Sequence, residues 1–157
     1  MIVNEMLTAR GYTELPVGDV WRKPDGNLMK IVFLEEKLNV QRFQEILDRL
    51  SFTHFLIINR KSVTPKVYAM IKILQLKDHQ IEMFNENELR INITKHKIMS
   101  SFRVVNPMTD PFLAKNYKLL PLMLTTDPVA RFYFFQVDDV IEVRKNDDIY
   151  YRRVVSA

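Results

Sequence analysis

Short apolar runs and helically spaced apolar residues alternate along the first half of the chain. Helical spacing predicts a short helix over residues 3–10, ended by Gly11. Proline and glycine make residues 12–27 a predicted loop, with Trp21 folded inward. The same pattern predicts strands at residues 28–34, 55–59 and 80–84, and helices capped by Asn39 and by Thr64 before Pro65. Strands and helices in this order predict a small α/β unit with a largely parallel sheet.

The pattern changes after Phe84. Residues 89–94 mix apolar and polar side chains without a clear period, and four prolines punctuate residues 107–128. The elements expected here are a strand at residues 97–105, helices near 110–117 and after Asp127-Pro128, and a hairpin from 140–144 and 149–155. This half is α+β. We therefore expect two domains, residues 1–90 and 91–157.

Composition and charge narrow the class of protein. A hydrophobic content of 47% and a charged content of 27% are typical of a globular chain, and the net charge of +4 permits a nucleic-acid partner without requiring one. The chain has no cysteine and neither GxGxxG nor GxxxxGK, so we expect no thiolate metal site, nucleotide enzyme or cofactor. No apolar run approaches the ~18 residues that span a bilayer. We expect an intracellular soluble protein without a membrane partner or a small-molecule substrate.

A basic cluster surrounds the helix that begins at Thr64-Pro65. Its members lie in a stretch without any acid and are Arg60, Lys61, Lys66, Lys72 and Lys77. Because a helix N-terminus presents free N–H groups and a positive dipole end, phosphate oxygens are natural ligands there. A solvated basic surface is the alternative interpretation.

A second motif is the combination of Pro24-Asp25 with Glu35-Glu36-Lys37, which matches the PD…ExK pattern of magnesium-dependent nucleases. A nuclease using Asp25, Glu35 and Lys37 is therefore the alternative function. Its geometry is unfavourable, because ten extended residues would separate the two carboxylates by on the order of 30 Å.

The C-terminal half contains candidate interface residues. The run Phe132–Phe135 is either core or an interface anchor, and the sequence leaves both open. The hairpin is acidic, which favours a protein partner over DNA; its acids are Asp138, Asp139, Glu142, Asp147 and Asp148.

The three histidines of the chain lack metal-ligand spacing; they are His54, His79 and His96.

Several segments in a fixed order resemble one family, the fifth subunit shared by the nuclear RNA polymerases, which has a counterpart in the archaeal RNA polymerase. The matching segments are Glu5-Met6, Arg10-Gly11-Tyr12, Val63-Thr64-Pro65, residues 84–96, Tyr117 to Pro121, Asp127 to Arg131, Val140 to Arg144 and Tyr150 to Val155. The resemblance covers most of the chain and is strongest after Phe84.

The resemblance implies a subunit of a DNA-dependent RNA polymerase without catalytic residues of its own. Residues 1–90 would be a nuclease-like α/β jaw domain near downstream double-stranded DNA, and residues 91–157 a small mixed-sheet assembly domain that docks on the largest subunit. The implied DNA-contacting residues, together with the basic residues beside them, are Arg60, Lys61, Thr64, Pro65 and Lys66. The implied interface residues are His96, Asp127, Pro128, Val129, Ala130, Arg131, Tyr150, Tyr151, Arg152 and Arg153.

The chain also departs from the family's pattern. Thr64-Pro65-Lys66-Val67 replaces the usual Thr-Pro-Ser-Ala, Asp138 stands where a glycine is expected, and the jaw lacks a block of residues. Such trimming predicts a virus-encoded version, located in a cytoplasmic viral factory and virion; a cellular version would be nuclear.

Overall fold

The computed structural model describes residues 1–96 and 100–157. The described chain divides into two compact units, Met1–Ile91 and Asn92–Ala157, each with its own sheet. None of the described helices combines the length and the apolar character needed to cross a membrane.

Within the described residues, the first unit is built on a five-stranded sheet with the order β1-β2-β3-β4-β5. Its strands are β1 (Thr13–Glu14), β2 (Val20–Arg22), β3 (Leu28–Leu34), β4 (His54–Asn59) and β5 (Gln80–Asn85), and its helices are α1 (Val3–Ala9), α2 (Val40–Arg49) and α3 (Pro65–Gln75). Strands β3, β4 and β5 run parallel, whereas β1 and β2 pair antiparallel. The predicted α/β unit with parallel strands is confirmed for β3, β4 and β5, but the sheet as a whole is mixed rather than largely parallel, because β1 and β2 pair antiparallel.

The predicted loop over residues 12–27 is wrong in part, because β1 and β2 lie within it. These strands are two and three residues long, and they exist by pairing along the edge of β3 rather than through a local apolar pattern. Trp21 is buried as predicted. Among the described residues, β2 pairs with β3 only as far as Lys30. The run of residues 28–34, apolar except for Lys30, predicts burial on both faces of β3, but Phe33 is 47% exposed, so this prediction is wrong there.

Helices α2 and α3 cover the parallel strands because of their caps and apolar spacing. The Asn39 side chain accepts a hydrogen bond from the Arg42 N–H at 2.8 Å, which starts α2 as predicted. Helix α2 buries Phe43 and Ile46 in the same core cluster that receives Val67 of α3. Strand β4 is buried at every position, as expected for a central parallel strand.

The second unit has a four-stranded sheet with the order β6-β8-β9-β7 within its described residues. Its strands are β6 (Ser101–Val105), β7 (Leu122–Leu124), β8 (Val140–Lys145) and β9 (Asp148–Val155), and its helices are α4 (Pro111–Asn116) and α5 (Pro128–Tyr133). Strand β7 runs parallel to β9 and the other pairs are antiparallel, so the predicted mixed character is confirmed. The strand expected at residues 97–105 is seen from Ser101; residues 97–99 lie outside the described residues.

Short 3-10 turns connect these elements. They span Glu86–Leu89, Ile93–Lys95, Pro107–Thr109 and Tyr117–Leu119. Helix α5 is followed by its C-cap residue Phe134, which adopts a left-handed conformation with φ 57°. Phe132 and Phe135 on either side of it are buried. For those two aromatics the choice between core and interface anchor is settled in favour of the core.

Candidate nucleic-acid and subunit interfaces

The loop between β4 and α3 is held by backbone hydrogen bonds on both sides. The Arg60 N–H donates to the Leu34 carbonyl at 3.0 Å, the Leu38 N–H to the Ser62 carbonyl at 3.2 Å, and the Thr64 N–H to the Leu38 carbonyl at 3.0 Å. Thr64 then provides the N-cap position and Pro65 the first turn of α3. The start of α3 is therefore presented by a fixed backbone.

Arg60 is an ion-paired residue. Its Nε donates to Glu86 Oε2 at 2.6 Å, its Nη2 donates to Glu86 Oε1 at 3.1 Å, and its Nη1 donates to Glu35 Oε1 at 3.2 Å. The hydrogen bonds from Arg60 hold the pKa of Glu86 below its ordinary value. The basic stretch has no acid in its sequence, but the fold brings two carboxylates to its first member.

The other residues at the start of α3 present uncompensated charge. Lys61 and Lys66 are exposed, and neither pairs with a carboxylate among residues 1–96 and 100–157. The Thr64 hydroxyl is buried and makes no hydrogen bond with the described residues. Thr64 therefore occupies the N-cap position of α3 without capping the helix through its side chain. Anionic ligands at this end would meet two lysines and the helix N-terminus.

The residues of the nuclease motif are separated and otherwise engaged. Asp25 precedes β3 and accepts hydrogen bonds from the Asn27 N–H and side-chain amide at 3.0 and 2.9 Å, while Glu35 follows β3 and pairs with Arg60. Among the described residues, no group of three or more histidine, aspartate and glutamate side chains is placed to hold a metal ion. Nothing in this arrangement supports the nuclease alternative.

A buried polar chain joins α1 to the strands of the first unit. Arg10 donates to both Glu82 oxygens at 2.8 Å, His54 Nε2 lies 3.1 Å from Glu82 Oε1, and the Tyr12 hydroxyl lies 3.1 Å from His54 Nδ1. Burial alone would raise the pKa of Glu82, but the charge of Arg10 and the hydrogen bond from His54 outweigh it, and the pKa is lowered. Burial and the Glu82 charge raise the pKa of Tyr12 to about 12. The chain is a structural element that tethers α1.

The turn at Asp127 combines a cap with buried apolar residues. The Asp127 carboxylate accepts the Val129 N–H at 2.8 Å, confirming the predicted cap of α5. Val129 and Ala130 are buried in the core of this unit, whereas Pro128 is exposed and Arg131 is half-buried. Pro128 therefore has the largest exposed fraction of the residues in the predicted contact turn.

The remaining predicted interface residues fall on different surfaces of the second unit. His96 is exposed and follows the 3-10 turn Ile93–Lys95, which contacts α5. Because strand side chains alternate, Tyr150 and Arg152 share one face of β9, with the Arg152 guanidinium carbon 5.8 Å from the Tyr150 ring centroid. Tyr151 and Arg153 share the other face, where Tyr151 packs against the α4 cluster and Arg153 lies over Tyr117. A single flat partner surface cannot contact all four β9 residues.

The predicted acidic hairpin needs one correction at Glu142. This side chain is buried and pairs with Arg103 at 3.0 Å and with Arg144 at 3.0 Å. The hydrogen bond from Arg144 leads the causes that lower its pKa. Glu142 is therefore neutralised within the sheet, and the exposed acids of the predicted set are Asp138, Asp147 and Asp148.

The second unit exposes many large apolar side chains for its size. Among the described residues these are Val104, Met108, Phe112, Leu119, Leu122, Leu124, Val137, Ile149 and Tyr150. Leu122 and Leu124 share one face of β7, where neighbouring exposed apolar side chains indicate a surface for another protein. Sequence reasoning missed most of these residues, although the three consecutive apolar residues of β7 signal a strand that is apolar on both faces.

Residues 91–155 match the family model described as RNA polymerase Rpb5, C-terminal domain. This segment contains the whole apolar surface just described. Residues 91–155 are therefore similar to the C-terminal domain of RNA polymerase subunit 5. It is similar to the DNA-directed RNA polymerase subunit 5-like protein 1 of Arabidopsis thaliana, with 37% identity over 43% of this chain and 34% of the relative.

Other relatives named as RNA polymerase subunits align over more of the chain. The DNA-directed RNA polymerases I, II, and III subunit rpabc1 of Dictyostelium discoideum is 28% identical over 66% of this chain and 55% of its own length. The putative DNA-directed RNA polymerase subunit 454R of Invertebrate iridescent virus 6 is 25% identical over 98% of this chain and 96% of its own length. The chain thus spans about a third to about half of these two cellular relatives and nearly all of the viral one.

Proposed function

We propose that this chain is a non-catalytic subunit of a multisubunit DNA-dependent RNA polymerase. The observation that carries the proposal is the match of residues 91–155 to the subunit 5 C-terminal domain, on a unit that exposes dense apolar surface. Residues 91–157 act as the assembly domain and dock on the largest polymerase subunit. The contact residues from the predicted set are His96, Asp127, Pro128, Val129, Ala130, Arg131, Tyr150, Tyr151, Arg152 and Arg153, with Val129 and Ala130 acting by shaping the turn.

Residues 1–90 act as the jaw near downstream double-stranded DNA. Support for a nuclease-like fold is limited to the parallel β3–β5 core with α2 and α3, which carries Asp25 and Glu35 at opposite ends of β3. Lys61, Thr64, Pro65 and Lys66 contact the phosphate backbone without reading sequence. Arg60 assists by fixing the loop through Glu35 and Glu86.

The viral relative, which aligns over almost the full chain, supports a proposal about which genome encodes the protein and where the protein acts. We infer a virus-encoded polymerase subunit, because this viral relative aligns over 98% of this chain and 96% of its own length. The protein would then act in a cytoplasmic viral factory and enter the virion. Its presence on a cellular chromosome beside cellular polymerase genes would contradict this, and a nuclear location would follow.

Assembly is tested by placing charge on the exposed side chains of β7. Leu122→Glu/Leu124→Glu should reduce recovery of the chain with the polymerase by on the order of tenfold or more, since a buried unpaired carboxylate costs several kcal/mol. Val17→Glu, at a 72% exposed position of the first unit, is the matched control and should incorporate normally. Normal stoichiometry of the β7 variant in purified enzyme would contradict the docking proposal.

The DNA contact is tested in the assembled enzyme with Lys66→Glu. Removing one cation and adding an anion at a phosphate contact should weaken retention on downstream DNA and flatten its dependence on salt, without altering subunit stoichiometry. Lys145→Glu, in the hairpin of the second unit, is the control. Unchanged crosslinking of the Lys66 variant to downstream DNA would overturn the contact.

A further inference from the structure

Helix α3 buries one side in the first unit and leaves the opposite side open. Val67 and Ile71 are buried in the core, whereas Tyr68 and Ile73 are 48% and 55% exposed and Leu76, directly after the helix, is 87% exposed. A solvent-facing helix side normally carries polar residues. Three large apolar side chains in this position indicate a surface that another molecule covers.

The open side of α3 forms two rows that meet at Leu76. Tyr68, Lys72 and Leu76 follow one another at intervals of four residues, and Ala69 and Ile73 form the neighbouring row. Ala69, Lys72, Ile73 and Leu76 have the i, i+3, i+4, i+7 spacing that accepts one apolar side chain from a facing helix. The small side chain of Ala69 provides the depth of this depression.

The open side also carries basic residues, with Lys72 between Tyr68 and Leu76 and with Lys66 and Lys77 near its two ends. Lys66, Lys72 and Lys77 are exposed, and the sequence contains no acid from residue 60 to residue 77. Within the described chain, none of these three lysines pairs with a carboxylate. The surface therefore combines three large apolar side chains with uncompensated positive charge.

We propose that the open side of α3 docks an acidic amphipathic helix of a partner protein. Apolar side chains of the partner pack over Ala69 between Ile73 and Leu76, and its glutamates or aspartates meet the lysines. Duplex DNA would satisfy the lysines but would leave the apolar side chains uncovered. A lipid surface would gain little, because α3 keeps Val67 and Ile71 in the core and offers only three large apolar groups.

This surface shares Lys66 with the DNA contact proposed at the start of α3, but its apolar residues lie further along the helix. Ile73 and Leu76 lie two turns or more along the helix from Pro65, so their variants test the docking site without removing Lys61 or Lys66. The double variants Ile73→Ser/Leu76→Ser and Lys72→Glu/Lys77→Glu separate its apolar and charged parts. Val17→Ser is the matched control for loss of an exposed apolar side chain. The fluorescence of Trp21 verifies that each variant is folded.

The probe is a stapled helical peptide with isoleucine and leucine on one stripe and glutamate on both borders, titrated into the full chain by fluorescence anisotropy. We expect each double variant to weaken binding by on the order of tenfold or more, and Val17→Ser to leave it unchanged. A matched peptide with lysine in place of glutamate should bind on the order of tenfold more weakly.

Equal affinity for the two peptides, or full affinity in either double variant, would overturn the proposal. Parallel arms use a DNA duplex and vesicles containing phosphatidylserine. The protein-docking proposal is wrong if Lys72→Glu/Lys77→Glu loses DNA or vesicle binding while the acidic peptide does not bind the wild-type chain. The surface would then bind phosphate groups.

Discussion

At the scale of single residues, the first unit depends on a buried ion pair that is satisfied on every side. Glu82 receives two hydrogen bonds from Arg10 and one contact from His54, and the side chains of Glu82 and Arg10 are only 5% and 3% exposed. The lowered pKa of Glu82 means that its carboxylate is favoured over the acid in the folded state. Its stabilisation is present above the ordinary carboxyl pKa and is lost as the pH falls through the lowered value.

Glu82→Ala should therefore lower the free energy of unfolding of the first unit by about 3–5 kcal/mol, because it leaves the Arg10 charge buried without a partner. Urea denaturation followed by the fluorescence of Trp21, the single tryptophan of the chain, measures this unit specifically. Glu14→Ala, at an exposed site, is the control. An apolar replacement of the pair, Arg10→Met/Glu82→Leu, should recover much of the loss. A loss in Glu82→Ala no larger than in the control would show that the pair is not structural.

Tyr12 gives the same unit an alkaline limit. Its pKa of about 12 lies above the ordinary value of 10.0, because burial and the Glu82 charge disfavour the phenolate. A raised folded-state pKa stabilises the folded protein fully below pH 10, and the stabilisation disappears as the pH rises from 10 to about 12.

Tyr12→Phe should consequently flatten the dependence of unfolding on pH in this alkaline range. Trp21 fluorescence in urea at each pH gives the measurement, and Tyr68→Phe, at an exposed site, is the control. Tyr117 and Tyr133 also have raised pKa values, but they lie in the second unit. An identical pH dependence for Tyr12→Phe and wild type would contradict the assignment.

At the scale of elements, the sequence predicts best the features that depend only on neighbouring residues. Asn39 and Asp127 both cap helices as predicted, because a cap depends on neighbouring residues only. Strands β1 and β2 were not predictable, because their short segments become strands by pairing with β3. The surroundings of Arg60 were hidden for the same reason, since Glu35 and Glu86 lie 25 and 26 residues away along the chain.

The cap of α5 gives a test at this scale. Asp127→Ala should destabilise the second unit by about 1 kcal/mol, because the Val129 N–H loses its acceptor at the helix start. Hydrogen exchange of the α5 amides, beginning with Val129, should become faster. Asp147→Ala in the exposed hairpin turn is the control. Unchanged exchange in the Asp127 variant would mean that the cap contributes nothing to α5.

The exposed leucines of β7 show why interface residues are harder to predict than core residues. Leu122, Met123 and Leu124 are equally apolar in sequence, yet only Met123 is buried. A run of apolar residues is the same for a strand whose two faces are both buried by its own chain and for a strand whose second face is exposed and binds a partner. The predicted interface residues therefore rest on the family resemblance, which emphasises the turn at Asp127 and the strand at Tyr150.

At the scale of the whole molecule, the two units have different surfaces. The second unit exposes apolar side chains densely and matches the subunit 5 C-terminal domain over residues 91–155. The first unit presents exposed lysines around α3. Arg60, at the start of the same basic stretch, is neutralised by its ion pairs with Glu35 and Glu86. We propose that the second unit serves assembly and that the first unit offers lysines and exposed apolar side chains around α3 to its partners.

The most direct test of the central proposal is mild affinity purification of the tagged full chain from its native source, with quantitative mass spectrometry of the material that it retains. We predict recovery of the two largest polymerase subunits in equal amounts with the chain, and loss of both with Leu122→Glu/Leu124→Glu. Recovery of the chain without polymerase subunits would contradict its assignment as a polymerase component.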